Sequence, residues 1–126
     1  MAADRMTWHD AGIYAVETDP DKQQMTWAVE VFCWDIRENV DAQPGRLTFE
    51  RIMEIRTLHD LKGDLKNGEV DWEVLSERFE RNGPTLRCEF MLLIRDVDQP
   101  SGAHGYGELI VVCQDAWFTP VREGTF

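Results

Sequence analysis

The sequence predicts an α+β protein: a mainly antiparallel sheet of four to five strands, a helix over about 71–82 packed on one face, and a candidate second helix at 48–62. Three observations lead there. Thr85 to Phe118 reads as two long apolar strands joined by a polar loop. Met25 to Arg37 is largely apolar on both faces of a period-2 pattern, as suits a strand inside a sheet. Trp72, Leu75 and Phe79 recur at i, i+3 and i+7, joined by Val74, which is the apolar stripe of a helix.

Residues 1–12 lack periodicity and are expected to lie across the surface or fray. Ile13 to Glu17 reads as a first strand, ended by Thr18-Asp19-Pro20-Asp21-Lys22, where Asp and Pro favour a turn. In the next strand Trp27, Val29, Val31 and Cys33 share one face. Glu38 to Gly45 reads as a loop ending in a type II turn at Pro44-Gly45. Arg46 to Asp60 admits two readings. As a strand, Leu47, Phe49, Met53 and Ile55 face inward and Thr48, Glu50, Glu54 and Arg56 outward; as a helix, Thr48 caps it and Ile55, Leu58 and Leu61 share a face.

The segment 62–68 reads as loop, and Asp71 suits the first turn of the helix that follows. Asn82-Gly83-Pro84 ends that helix, with Gly at the cap and Pro unable to continue. In the first arm of the terminal hairpin Leu86, Cys88, Phe90, Leu92 and Ile94 fall on one face. The second arm is apolar on both faces from Leu109 to Cys113, rich in β-branched residues. Between the arms, 96–107 carries Pro100, Ser101 and three glycines, a long loop. No repeat or linker interrupts the 126 residues, so one domain over 1–126 is expected.

The chain carries 13 basic and 24 acidic residues, a formal net charge of −11. The excess is spread along it, with 12 acidic and 7 basic residues in 1–63 and 12 and 6 in 64–126. A surface of this sign repels nucleic acid and anionic lipid, so direct nucleic-acid binding is not expected; it suits a protein partner with a basic surface. No apolar run reaches the roughly 18 residues of a membrane span, and Met1 to Arg5 opens without a signal peptide's apolar stretch. Cys33, Cys88 and Cys113 are odd in number, lack CxxC spacing and sit in apolar runs. Buried reduced thiols and a cytoplasmic setting are the expectation.

No catalytic or metal-binding motif stands out. His9, His59 and His104 form no HExxH, and Ser76 and Ser101 lack the nucleophile-elbow setting. No cofactor is implied. The residues singled out for binding are Asp19, Asp21, Glu38 and Asp41 in the loops around the second strand, His104 and Tyr106 in the glycine-rich loop, and Trp117 at an element end. Trp8 and Trp117-Phe118 are the aromatic candidates for an exposed interface anchor. The function these features favour is non-enzymatic: an acidic protein-interaction module such as an inhibitor, an immunity or anti-defence protein, or a small component of a viral (phage) or bacterial assembly. The alternative is a small-ligand binder or enzyme with a cavity between helix and sheet, rimmed by the 96–107 loop.

Overall fold

A computed structural model describes residues 1–32, 42–59, 68–95 and 104–121. Eight strands form one antiparallel sheet: β1 (Gly12–Asp19), β2 (Gln24–Val31), β3 (Gln43–Glu50), β4 (Glu54–His59), β5 (Gly68–Asn82), β6 (Thr85–Arg95), β7 (His104–Cys113) and β8 (Asp115–Pro120). Their order is β4-β7-β6-β5-β1-β2-β3-β8. That order closes on itself. β4 continues β3 after Arg51, Ile52 and Met53, and β8 continues β7 after Gln114. The β3/β8 ladder therefore runs on into the β4/β7 ladder, and with β1 paired to β5 the strands make a ring of six positions. Two meanders, β1-β2-β3/β4 and β5-β6-β7/β8, build that barrel-like ring.

Alternation fills the interior. Met25, Trp27, Val29 and Val31 of β2, Leu47 and Phe49 of β3, Leu86, Cys88, Phe90 and Leu92 of β6, and Leu109, Val111 and Cys113 of β7 are all buried in one cluster. Rings from opposite sides meet at its centre: Trp27 lies 4.8 Å from Phe49, 5.2 Å from Phe90 and 6.1 Å from Trp72, mostly edge to face. Each such side chain contributes on the order of 1.5–3 kcal/mol through burial.

The helix expected over 71–82 does not exist; β5 runs through all of it, paired to β6 from Trp72↔Ile94 to Asn82↔Thr85. The reason is a β-bulge between Val74 and Ser76. Before it Trp72 and Val74 point inward; after it the phase shifts, and Phe79, opposite Cys88, points inward instead. One extra residue thus turns two period-2 runs into a set at 72, 74, 75 and 79 that imitates a helical stripe. Asn82-Gly83-Pro84-Thr85 is a two-residue hairpin turn, with Gly83 at φ 61° and Pro84 following. Glycine first is what a type II′ turn needs, and a helix cap asks for the same positive φ. The fold class is accordingly not α+β: among the described residues the one helical element is a 3-10 turn, Ala3–Arg5.

The candidate helix at 48–62 is also replaced, over 48–59, by the end of β3, a kink and β4, and 60–62 lie outside the described residues. The kink follows Arg51 at φ 52°, an uncommon left-handed backbone for a residue with a side chain. Ile52 N donates to Gln23 O at 2.8 Å and Met53 N to Val112 O at 2.8 Å, holding it in place. Pro44 and Gly45 do not turn; they lie in β3 opposite Glu30 and Val29. Pro44 stands near the strand's start, where a missing N–H is tolerated. A Cβ on Gly45 would fall 2.3 Å from the Phe118 ring, so this glycine admits the ring against bare backbone. Of the loop expected over 96–107, residues 104–107 belong instead to β7, with His104 paired to Arg95 and Gly105, Tyr106 and Gly107 in the ladder, and 96–103 lie outside the described residues.

Residues 1–12 are not a loose surface segment. Ala3, Met6, Trp8 and Ala11 are buried in the core. Trp8 Nε1 donates to Ala3 O at 2.8 Å, and its ring meets Phe118 edge-on at 5.8 Å. Asp10 N donates to Val74 O and Val74 N to Ala11 O, so the segment completes the backbone bonding beside the β5 bulge.

Candidate functional site

The outer face of β1-β2-β3-β8 gathers the surface features that the core does not explain. Strand register sets them in rows. Ala15 pairs Ala28, Ala28 pairs Arg46, and Arg46 pairs Thr119. In the next row Glu17 pairs Thr26, Thr26 pairs Thr48, and Thr48 pairs Trp117. Beyond it stand the Asp19↔Gln24 and Glu50↔Asp115 pairs. A bulge between Ile13 and Ala15 makes this possible, since it turns both Ile13 and Val16 inward and leaves Ala15, Glu17 and Asp19 on the outside.

The alanine pair forms the floor of a groove of about 320 Å³, walled by Glu17, Asp19, Gln24, Thr26 and Arg46. Small side chains facing each other across two strands leave a hollow that their longer neighbours border. Thr26 and Thr48 approach at 3.5 Å between hydroxyl oxygens. Asp19 accepts from the Lys22 backbone N–H at 3.3 Å, which fixes the β1–β2 turn. Trp117 is 43% exposed, a large apolar side chain standing free on this face. Among the described residues Glu17, Asp19, Asp21, Glu30 and Glu50 make no ion pair.

The expected site residues distribute as follows. Asp19 on β1 and Trp117 on β8 both face outward, three strand positions apart, and Asp21 is exposed in the β1–β2 turn. Glu38 and Asp41 lie outside the described residues, as does 96–103. His104 opens β7, and Tyr106, also on β7, is 61% exposed opposite Leu93 and is not part of this face. Trp8 and Phe118 are core residues and not exposed anchors. The cavity between helix and sheet has no helix to form it, and the barrel interior is filled by Trp27, Phe49, Trp72 and Phe90. Sequence reading missed Glu17, Thr26, Thr48 and Arg46 as one patch. Each is recognisable singly as an outward strand position, but their union depends on pairing register.

Titratable groups elsewhere are structural. Arg95 donates to Asp71 at 3.2 Å and to Glu73 at 3.1 Å; the Glu73 bond leads in holding the guanidinium protonated above its usual range. Tyr14 is pushed up by partial burial, then by Glu30 and Asp71, with Arg95 opposing. Cys88 and Cys113 are buried free thiols on β6 and β7. Their mutual hydrogen bond, with burial, pushes Cys88 far above the thiol range, and the same bond favours the thiolate of Cys113 against its own burial. Cys33 lies outside the described residues. Among the described residues no cluster of His, Cys, Asp and Glu could hold a metal ion, and no helix is long and apolar enough to cross a membrane. Comparison with known proteins finds no family model, no curated protein and no solved structure that matches the chain.

Proposed function

We propose that this chain is a protein-interaction module that binds a basic partner through the outer face of β1-β2-β3-β8. The observation that carries the reading is the row Glu17, Thr26, Thr48, Trp117, which sets an exposed aromatic and an unpaired carboxylate on one continuous sheet surface. An aromatic ring supplies apolar contact area at small entropic cost, and interface hot spots are enriched in Trp. The carboxylates of Glu17 and Asp19 border a groove sized for the end of a lysine or arginine side chain, whose charge they would neutralise. The threonine hydroxyls offer both donors and acceptors between them. The net charge of −11 adds a long-range field that draws a basic surface in and repels nucleic acid.

Photo-cross-linking from a reactive side chain placed at position 117 tests this, with position 91 on β6 as control. Met91 is exposed on β6, outside this face, at 37%. The expected result is a cross-link to a basic protein from position 117 alone, lost as salt rises. Equal capture from both positions, or capture indifferent to salt, would overturn the assignment of the face.

A further inference from the structure

The two strands that end the sheet order differ at their outer edges. The outer edge of β8 is occupied. Ala2 bridges Trp117, Phe118 N donates to Met1 O at 2.8 Å, and the Met1 ammonium donates to Phe118 O at 3.0 Å. β4 has no such cover. Gln23 O reaches Ile52 N at 2.8 Å; past that point, among the described residues, Glu54 to His59 are laddered to β7 alone. An open edge presents unpaired N–H and C=O groups that template another strand. Two exposed apolar side chains stand at this edge, Met53 at 57% and Ile55 at 36%. Beside them an apolar hollow of about 260 Å³ lies against the β1–β2 turn, lined by Pro20, Met25, Ile52 and Ile55 among others.

We infer that this edge is where a second copy of the chain docks, strand β4 against strand β4 in antiparallel fashion about a two-fold axis at Ile55. The sequence is self-complementary about that point. With Ile55 opposite its own copy, Glu54 faces Arg56 of the other molecule and Arg56 faces Glu54, while Met53 faces Thr57. Glu54 and Arg56 already pair within one chain, and both are exposed. Opposite charges directly across an antiparallel ladder stabilise it, and a two-fold contact uses each pairing twice. The exposed Ile55 side chains cover one another. Because each copy carries a net charge of −11, long-range repulsion opposes the dimer at low salt and is screened as salt rises. This is the opposite salt dependence to binding of a basic partner, so the two readings succeed or fail separately.

Sedimentation velocity from micromolar to several hundred micromolar protein is the test, with near-ultraviolet circular dichroism confirming that each variant is folded. The wild type should dimerise, more tightly in moderate salt. Glu54→Arg sets like charges opposite each other twice and should weaken the dimer roughly tenfold. Adding Arg56→Glu to that variant restores complementarity and should restore the dimer. Ile55→Asp should abolish it, and Trp117→Ala should leave it unchanged. A wild type that is monomeric at every concentration, or a dimer indifferent to Glu54→Arg and Ile55→Asp, would overturn the inference.

Discussion

The outer faces of the two meanders carry similar numbers of carboxylates and handle them differently. On β5-β6 Asp71, Glu73, Glu80 and Glu89 are tied to arginines, while Glu77 accepts from the Trp8 backbone N–H and Glu69 is in no ion pair among the described residues. Arg95 spans Asp71 and Glu73, Arg78 lies near Glu80 and Glu89, Arg87 bonds Glu89 at 3.1 Å, and Arg81 reaches across to Asp115 at 3.0 Å. On β1-β2-β3 Glu17, Asp19, Asp21, Glu30 and Glu50 have no such partner among the described residues, although Arg46 stands in the same groove as Glu17 and Asp19. Among the described residues β1-β2-β3 therefore carries a group of carboxylates that no arginine neutralises. A neutralised face serves solubility and local order, whereas an unneutralised face retains attraction for an outside cation.

The largest effect should show that the difference is confined to the surface. Both meanders send rings to one centre, where Phe90 of β6 lies 5.2 Å from Trp27 of β2. Phe90→Ala should cost roughly 3–5 kcal/mol, as truncation of buried aromatics does. Denaturant unfolding should remain one transition, followed equally by amide exchange in β2 and in β6. Loss of β5-β6 protection ahead of β1-β2 would divide the core between the meanders.

One glycine from each meander gives the next effect. At Gly45 of β3 an added methyl would fall 2.3 and 2.5 Å from the Phe118 ring and 2.7 Å from the Thr119 backbone oxygen. Gly45→Ala should cost roughly 1–3 kcal/mol, as overpacking does. Gly83 has open space around it but φ of 61°, so Gly83→Ala should cost about 1–2 kcal/mol through backbone strain alone. Thermal unfolding of both variants separates the two mechanisms, because a smaller ring at position 118 should relieve Gly45→Ala and leave Gly83→Ala as it is.

How much of this was legible in the sequence follows from where the period-2 rule holds. It holds in β2 and β6, where Trp27, Val29 and Val31, and Leu86, Cys88, Phe90 and Leu92, share one face of the alternation and are buried. It fails at two irregularities. The bulge at Leu75 shifts phase inside β5 and produced a false helix; the kink at Arg51 divides β3 from β4 and left 46–60 ambiguous. Neither has a residue-type signature, since bulges and left-handed kinks usually announce themselves by glycine and these do not. Burial of Trp8 was hidden for another reason: it packs through a segment with no regular pattern, held by the β5 bulge. The candidate face was half legible. Asp19 and Trp117 are each recognisable singly, but the rows that carry Glu17, Thr26, Thr48 and Trp117 across four strands are a product of register, which a sequence does not display.

The paired face makes a further prediction. Arg95 is about one-third exposed, so its ion pairs are solvent-screened and Arg95→Met should cost no more than about 1 kcal/mol. Its clearer mark is on Tyr14. Partial burial raises that phenol, Glu30 and Asp71 raise it further, and Arg95 lowers it. Removing Arg95 should push the phenol higher still. A phenol that holds its proton more tightly folded than unfolded contributes stability that is complete below about pH 10 and lost as pH rises through the folded value. Ultraviolet titration should find Tyr14 ionising later in Arg95→Met than in wild type. An earlier ionisation would mean that the Asp71–Glu73–Arg95 cluster does not reach the phenol.

The smallest stability effect belongs to the unpaired face, and its smallness is informative. Glu17→Gln and Asp19→Asn remove charges with no ion-pair partner, so unfolding should shift by no more than about 0.5 kcal/mol. At low salt the shift should favour the folded state, because like charges on neighbouring rows repel and the substitutions relieve that repulsion. The gain should fade as the screening length shrinks to about 8 Å at physiological ionic strength. Glu73→Gln, on the paired face, should move stability the other way, since it leaves Arg95 with one partner in place of two. Chemical denaturation of the three variants at low and moderate salt provides the comparison. If Glu17→Gln and Asp19→Asn destabilise as Glu73→Gln does, those carboxylates are part of the fold's own electrostatics, and the case for a face held open to a basic partner fails with them.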